Sequence, residues 1–457
     1  MSDDHSLKQK RREQWAWYLY DFGNSAYAAV VLLAVYSVYF KQGVVAGPEG
    51  SALWGLSLTI AMLVVAIIAP FLGTLADYSQ KKKSFLFVMT SMAVLFTSLL
   101  FFVQKGDIIL GMVLFILAEI GYRSGQVFYN SLLVDVADPD ELGRVSGNGW
   151  AIGSLGGILC LLVVLAMIQL NPGNNVVLRL TLVFTAIYFL VFALPALFII
   201  KEKKPPEESQ GSNYLKIAVD RLKITIKSVR NFKEFIKFMV ALLIYNDGII
   251  AALDFAAIVG AVLFGITDTQ LIIFVIIVQV TNVIGSYVYA VIGERVGYKN
   301  SLVQSLLLMI AAIGAMMFIN GPIPFFIIGA AAGFAMAGVQ SISRTLVSIF
   351  APKSKTAEFY GFFALAGRTS SIIGPGVMGF AASGISAWLM TTLVNAGLVT
   401  AGSETAITVT EQIGHRFAII SIVIFLLVGL MLLLFVNEKE GKLAAELAEA
   451  ELNGEQV

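Results

Sequence analysis

Twelve apolar runs, at about 17–40, 52–76, 84–104, 108–134, 145–170, 176–200, 235–265, 271–292, 301–319, 323–350, 359–384 and 417–436, leave this chain one kind of fold. Each is near or above the ~20 residues a helix needs to cross a hydrocarbon core about 30 Å thick. In lipid every backbone N–H and C=O must be paired inside the protein, so runs of this length span as helices. The predicted fold class is an all-α membrane protein with twelve transmembrane helices. Hydrophobic residues make up 58% of the chain and charged residues 13%. Soluble domains average about 45–50% and 25%, so a soluble core could not absorb this chain.

The cations predict an orientation. With both ends inside and the chain folded back and forth, 24 of the 31 Lys and Arg fall on the inner side, and only Lys41, Lys105, Arg179 and Arg416 fall outside. This asymmetry places both termini in the cytoplasm, with the cell membrane as the expected location. A net charge of +1 gives no basic face for nucleic acid. The single cysteine, Cys160, excludes an internal disulfide, and two histidines, His5 and His415, both outside the runs, exclude a His₃ metal site. No triad, metal or phosphate-loop constellation is present, so neither an enzyme nor a cofactor is expected. Lys8, Lys10, Arg11 and Arg12 look like a leader's basic start, but the apolar stretch after them is too long for one and reads as the first membrane helix.

The spacing of the runs predicts a cytoplasmic N-terminal segment (1–15), a six-helix bundle (16–200), a cytoplasmic linker (201–234), a second six-helix bundle (235–436) and a tail (437–457). In the linker, Leu215, Val219, Leu222, Ile226 and Val229 recur at helical spacing opposite Lys216, Asp220, Lys223 and Lys227, the pattern of a basic helix lying on lipid. The tail is Ala/Glu-rich and predicts a solvated or frayed helix. The stretch from about 386 to 416 reads as a long outward insertion. The two halves repeat: a shift of 214 residues carries Gln126 to Gln340, Ala137 to Ala351, Gly147 to Gly361 and Gly153 to Gly367, while Asn130 meets Arg344. Duplicated six-helix halves are a transporter pattern.

Ionisable residues within membrane helices cost ~2.5–3.5 kcal/mol each on insertion scales, so each needs a partner or a function. Glu119 and Arg123, four apart, share one helical face near mid-membrane. They form either a proton and substrate site or a structural ion pair. Asp247 and Asp254 lie seven apart in the seventh run, with Asn246 beside the first and no basic partner in that helix. Glu119, Asp247 and Asp254 are therefore candidate proton carriers. Arg123, Gln126, Asn246, Gln340 and Arg368 are candidate cargo ligands. Glu119, Arg123, Asp247 and Arg368 are expected to line one central cavity. Gly149, Gly153, Gly156 and Gly157 give the fifth helix a small-residue face for tight contact, and Gly374-Pro375-Gly376 predicts a bend in the eleventh.

Gly73-Thr-Leu-Ala-Asp77-Tyr-Ser-Gln-Lys81-Lys82-Lys83 resembles the signature loop of the major facilitator superfamily, with Gln80 where that family usually has Gly. The resemblance implies two pseudo-symmetric six-helix bundles that alternate access to a central site. It also implies a gating role for Asp77, Lys81 and Lys82 against the other half, with Glu294 in a degraded second copy. Four further segments are Trp17-Tyr-Leu-Tyr-Asp21-Phe-Gly-Asn24, Phe128-Tyr-Asn130-Ser-Leu-Leu-Val-Asp135, Tyr245-Asn246-Asp247-Gly248 and Gln340-Ser-Ile-Ser-Arg344. Together they resemble the vacuole-effluxer-like family, related to a fungal autophagy protein that releases amino acids from the vacuole. The implied activity is secondary transport of amino acids or a related small metabolite in the export direction, with protons as the implied coupling ion. The implied partners are the cargo, protons and membrane lipids, and the implied state is a monomer. A drug or cation exporter of the same superfamily and a ligand sensor that moves nothing are the alternatives.

Overall fold

The computed structural model describes residues 2–78, 81–137, 141–202, 232–352, 356–400 and 403–452. Among them there are only helices and turns. The first membrane element, α1, starts as Ser2–Tyr27 and continues through π-helical stretches Ala28–Ala34 and Tyr39–Val45. Then come α2 (Gly50–Tyr78), α3 (Lys82–Leu99), α4 (Ile108–Ser131), α5 (Leu142–Gln169) and α6 (Asn175–Ile199). They are followed by α7 (Lys233–Phe264), α8 (Asp268–Val296), α9 (Tyr298–Ala315), α10 (Pro322–Phe350), α11 (Thr356–Thr369), α12 (Gly374–Asn395), α13 (Glu404–Leu434) and α14 (Glu438–Leu452). Eleven helices among the described residues are long and apolar enough to cross a membrane. The ninth run forms α9, of 18 residues, and the eleventh is divided between α11 and α12. The amphipathic helix expected in the linker lies outside the described residues.

The helix ends follow local chemistry. Asn174 Oδ1 accepts from the N–H groups of Val176 and Val177 at 2.9 and 3.3 Å and caps α6. Gly265, at φ 61°, ends α7 in the left-handed conformation that costs glycine least. Gly321, at φ 85°, precedes Pro322 in the first turn of α10, where a missing N–H does no harm.

The chain divides into two compact units, the first of residues 1–46, 60–221 and 268–272, the second of 47–59, 222–267 and 273–457. In the first unit α1 packs along α5 and α6, and α3 along α4. The small-residue face predicted for α5 meets α1: side-chain carbon at Gly149, Gly153 or Gly156 would collide with Trp17, Asp21 or Phe22. In the second unit α13 packs along α7 and α12, and α9 along α10.

Each unit ties its third membrane helix to a glutamate that follows a later helix. Glu202, just past α6, accepts from Lys83 N at 2.6 Å at the start of α3. Glu438, just past α13, accepts from Tyr298 N at 3.4 Å and Lys299 N at 2.8 Å at the start of α9. In both, a carboxylate meets the positive end of a helix. The repeat is legible here in a pair of residues that the 214-residue shift does not align.

Four expectations are revised. The stretch 386–416, expected as an outward insertion, is helical over most of its length: α12 runs on to Asn395 and α13 starts at Glu404. Its Ser and Thr residues lower the hydropathy but bond carbonyls one turn back, as Ser386 does to Ala382 and Thr410 to Ala406, so they sit inside helices. His415, placed outside the apolar runs, is buried in α13, with Nε2 2.8 Å from Ser51 Oγ and Nδ1 2.8 Å from the Glu411 carbonyl. The tail is not simply solvated, since α14 places Gly441 against Phe350 and buries Ala445. Lys41, counted as an outside charge, is also buried.

Candidate functional site

In the first unit the candidate site is built on α1 and α4. Tyr20 and Tyr27, seven residues apart, fall on one face of α1. Tyr27 stacks on Tyr122 of α4 at 4.4 Å, and Tyr129 stacks on both Tyr20, at 4.9 Å, and Trp17, at 4.4 Å. Trp17 Nε1 donates to the Tyr129 carbonyl at 3.0 Å. Beside the Tyr27–Tyr122 stack lies a charged pair. Arg123 Nε donates to Glu119 Oε1 at 2.6 Å; the Glu119 side chain is 0% exposed, that of Arg123 23%. The guanidinium also lies over the Tyr122 ring, 5.4 Å from its centroid, a favourable place for a cation. Gln126 hydrogen-bonds the Tyr122 hydroxyl, and Asp21 and Asn24 interact through their side chains on α1.

What distinguishes this region is what it leaves unpaired. Glu119 Oε2, the Tyr27 hydroxyl, Asn24 Oδ1, Ser124 Oγ and the Tyr129 hydroxyl are all buried without a hydrogen-bond partner, and all lie on α1 or α4. Glu119 and Tyr27 are electrostatic neighbours. A buried polar atom without a partner costs about 1–3 kcal/mol. Native interiors rarely tolerate several together unless water, an ion or a ligand completes them.

In the second unit Asp247, buried on α7, accepts from the backbone N–H of Gly374 at 2.8 Å and from that of Ile373. Its neighbour Asn246, half-buried, donates through Nδ2 to Ser370 Oγ at 2.5 Å. Asp254 is buried about two turns further along α7, and its carbonyl accepts from Trp54 Nε1 at 3.1 Å. Gln340 is half-buried on α10. Arg368 belongs to α11, with its side chain outside what is described, and the same holds for Asp77 on α2. Of the four residues expected to share a cavity, Glu119 and Arg123 thus lie in the first unit, Asp247 and Arg368 in the second.

Among the gating candidates, Lys81 and Glu294 are exposed. Lys82 differs from expectation. Its partner is in its own half: Nζ lies 3.0 Å from Asp135 Oδ2, just past α4, with the Asp135 side chain 2% exposed. Lys82 opens α3, which packs along α4, so the nearest carboxylate is local.

Sequence reasoning missed Tyr27, Tyr122 and Ser124. The seven-residue spacing of Tyr20 and Tyr27 was a usable signal; that their partner rings come from α4 was not readable along the chain. It also missed the donors that engage Asp247, because these are backbone N–H groups, that of Gly374 127 residues away.

Comparison with solved structures defines the class. A bacterial homologue of the human lysosomal transporter Spinster superposes with a TM-score of 0.69, at 13% identity, over 96% of this chain and 98% of that one. A D-xylose-proton symporter does so with 0.64, at 15% identity, over 96% and 99%. The fold is that of the major facilitators. Residues 51–414 match the family described as vacuole effluxer Atg22 like, and the chain belongs to it. The MFS-type transporter YxiO of Bacillus subtilis is 26% identical over 447 residues, 95% of this chain and 96% of that one. Autophagy-related protein 22 of Coccidioides immitis is 21% identical over 75% of this chain and 69% of its own length, and that of Yarrowia lipolytica 22% over 52% and 45%. The protein is an integral membrane transporter of the major facilitator type and not an enzyme.

Proposed function

We propose that this transporter exports a small polar metabolite of the amino-acid class, coupled to protons, and that the α1–α4 cluster is where cargo and proton bind. The observation that carries this reading is the buried Glu119–Arg123 pair, with one Glu119 oxygen unpaired, on two helices that carry five unpaired buried polar atoms. Arg123 and Gln126 are suited to a cargo carboxylate, and Glu119, with one oxygen free of Arg123, is suited to loading a proton. Protonation of Glu119 would release Arg123 from its partner and free the guanidinium for the cargo. Export is supported by the family's description as effluxers. Proton coupling is supported by the same fold in a D-xylose-proton symporter.

In the second unit, Gln340 and Arg368 are proposed as further cargo ligands, and Asp77, Lys81 and Glu294 as gating residues at the cytoplasmic helix ends. The proposed setting is the cell membrane, as a monomer with both termini in the cytoplasm. A cation exporter is the weaker reading, because Arg123 occupies the site where such a cargo would have to sit.

The test is counterflow in proteoliposomes with labelled leucine, glutamate and a lipophilic cation, with and without an imposed pH gradient. Glu119→Gln should abolish gradient-driven accumulation and leave exchange intact. Movement of the cation alone would replace the reading with the cation exporter, and binding without movement would replace it with a sensor.

A further inference from the structure

The eleventh membrane element is broken. Helix α11 ends at Thr369 and α12 begins at Gly374. Four residues between them leave the last C=O groups of α11 and the first N–H groups of α12 without helical partners. Buried helix ends of this kind need partners from other parts of the protein. Here side chains do so, and two of them are adjacent on α7. Asp247 accepts from the N–H groups of Ile373 and Gly374 at the start of α12. Asn246 donates to Ser370 Oγ, which in turn donates to the Gly367 carbonyl at 3.0 Å, closing the end of α11. Within the same unit Thr59 Oγ1 donates to the Ile372 carbonyl at 3.0 Å. The fit is close: side-chain carbon at Gly374 would lie 2.8 Å from Asp247 Oδ1 and 2.5 Å from its carbonyl. Asp247 thus serves as an acceptor for the first N–H groups of α12.

We propose that Asp247 is a positioning residue which, together with Asn246, clasps the break between α11 and α12 throughout the transport cycle and does not carry the coupled proton. It acts through the backbone of the joint, and so fixes the angle from which α11 presents its residues. The transport part of the proposal rests on the reading above; the clasp itself does not.

Two measurements on the full chain test it. The first is hydrogen–deuterium exchange across 366–380 in lipid nanodiscs. Asp247→Ala should speed exchange of the Ile373 and Gly374 amides by about tenfold or more, since it removes the side chain that accepts from both. Asp247→Asn, whose amide oxygen still accepts, should restore protection to within about threefold. Unchanged exchange in Asp247→Ala overturns the clasp. If that variant does not assemble, Ser370→Ala takes its place and should speed exchange at 368–371 by about threefold or more; no change there overturns the clasp equally. The second is accumulation of labelled leucine driven by a pH gradient. Asp247→Asn should keep at least half of it. Loss of accumulation with exchange transport and amide protection both preserved would make Asp247 the proton carrier and sink the proposal. If the unmodified protein moves no leucine, the amino-acid reading fails, and amide exchange still decides the clasp.

Discussion

Arg123 meets Glu119 through one carboxylate oxygen, and that single contact sets the behaviour of both residues. Removing Arg123 leaves Glu119 charged and fully buried, which costs about 3–5 kcal/mol, whereas removing both charges can be nearly neutral. Arg123→Ala is therefore expected to lower the unfolding temperature in detergent sharply, and Glu119→Gln added to it should recover most of the loss. If the double variant is as unstable as Arg123→Ala alone, the pair does not couple in this way. Tyr27 adds a second expectation. Its hydroxyl has no partner and neighbours Glu119, so Tyr27→Phe should leave stability within ~0.5 kcal/mol. The same change should shift the pH at which proton-driven uptake is half-maximal, because a hydroxyl that interacts with the carboxylate is lost. An unmoved pH profile would place Tyr27 outside the proton site.

At the scale of the helices, glycine decides where two rods touch. A side chain at Gly156 of α5 would strike the backbone carbonyl of Phe22, which cannot swing aside, while at Gly314 of α9 it would meet nothing. Gly156→Leu should prevent assembly of the first unit or cost at least ~3 kcal/mol in overpacking. Gly314→Ala should be neutral or stabilising by up to ~1 kcal/mol through helix propensity. Thermal unfolding followed by fluorescence, together with yield in the membrane fraction, separates the two outcomes. The glycine pattern of α5 was visible in the sequence. That it packs on α1, rather than on any other helix, was not.

For the whole molecule the open expectation is topology. In a background with Cys160 replaced, single cysteines introduced at Ser209 and Ser403 should be modified by impermeant maleimide from opposite sides of the membrane. Modification from one side only would contradict the orientation drawn from 24 inner and 4 outer cations. Family membership makes the chain a transporter. The choice of cargo belongs to side chains at one site, because one fold of this kind hosts many cargoes.

Hydropathy, charge placement and a signature loop determined, from the sequence alone, that this chain spans a membrane as helices and is of the major facilitator type. Those signals are local: each is read within one run or one loop, and lipid enforces the helix wherever the run is long enough. The candidate site was half legible for the same reason. Glu119 and Arg123 lie four apart on one helix, so their pairing follows from helix geometry. Asp247 had no visible partner because its partners are backbone amides of a distant helix start, which carry no residue-type signal. The burial of His415 against Ser51, the aromatic walls shared by α1 and α4, and the pairing of Lys82 with Asp135 were likewise decided by tertiary structure. They depend on which helix faces which, and hydrophobic patterning leaves that open because lipid and protein interior are almost equally apolar.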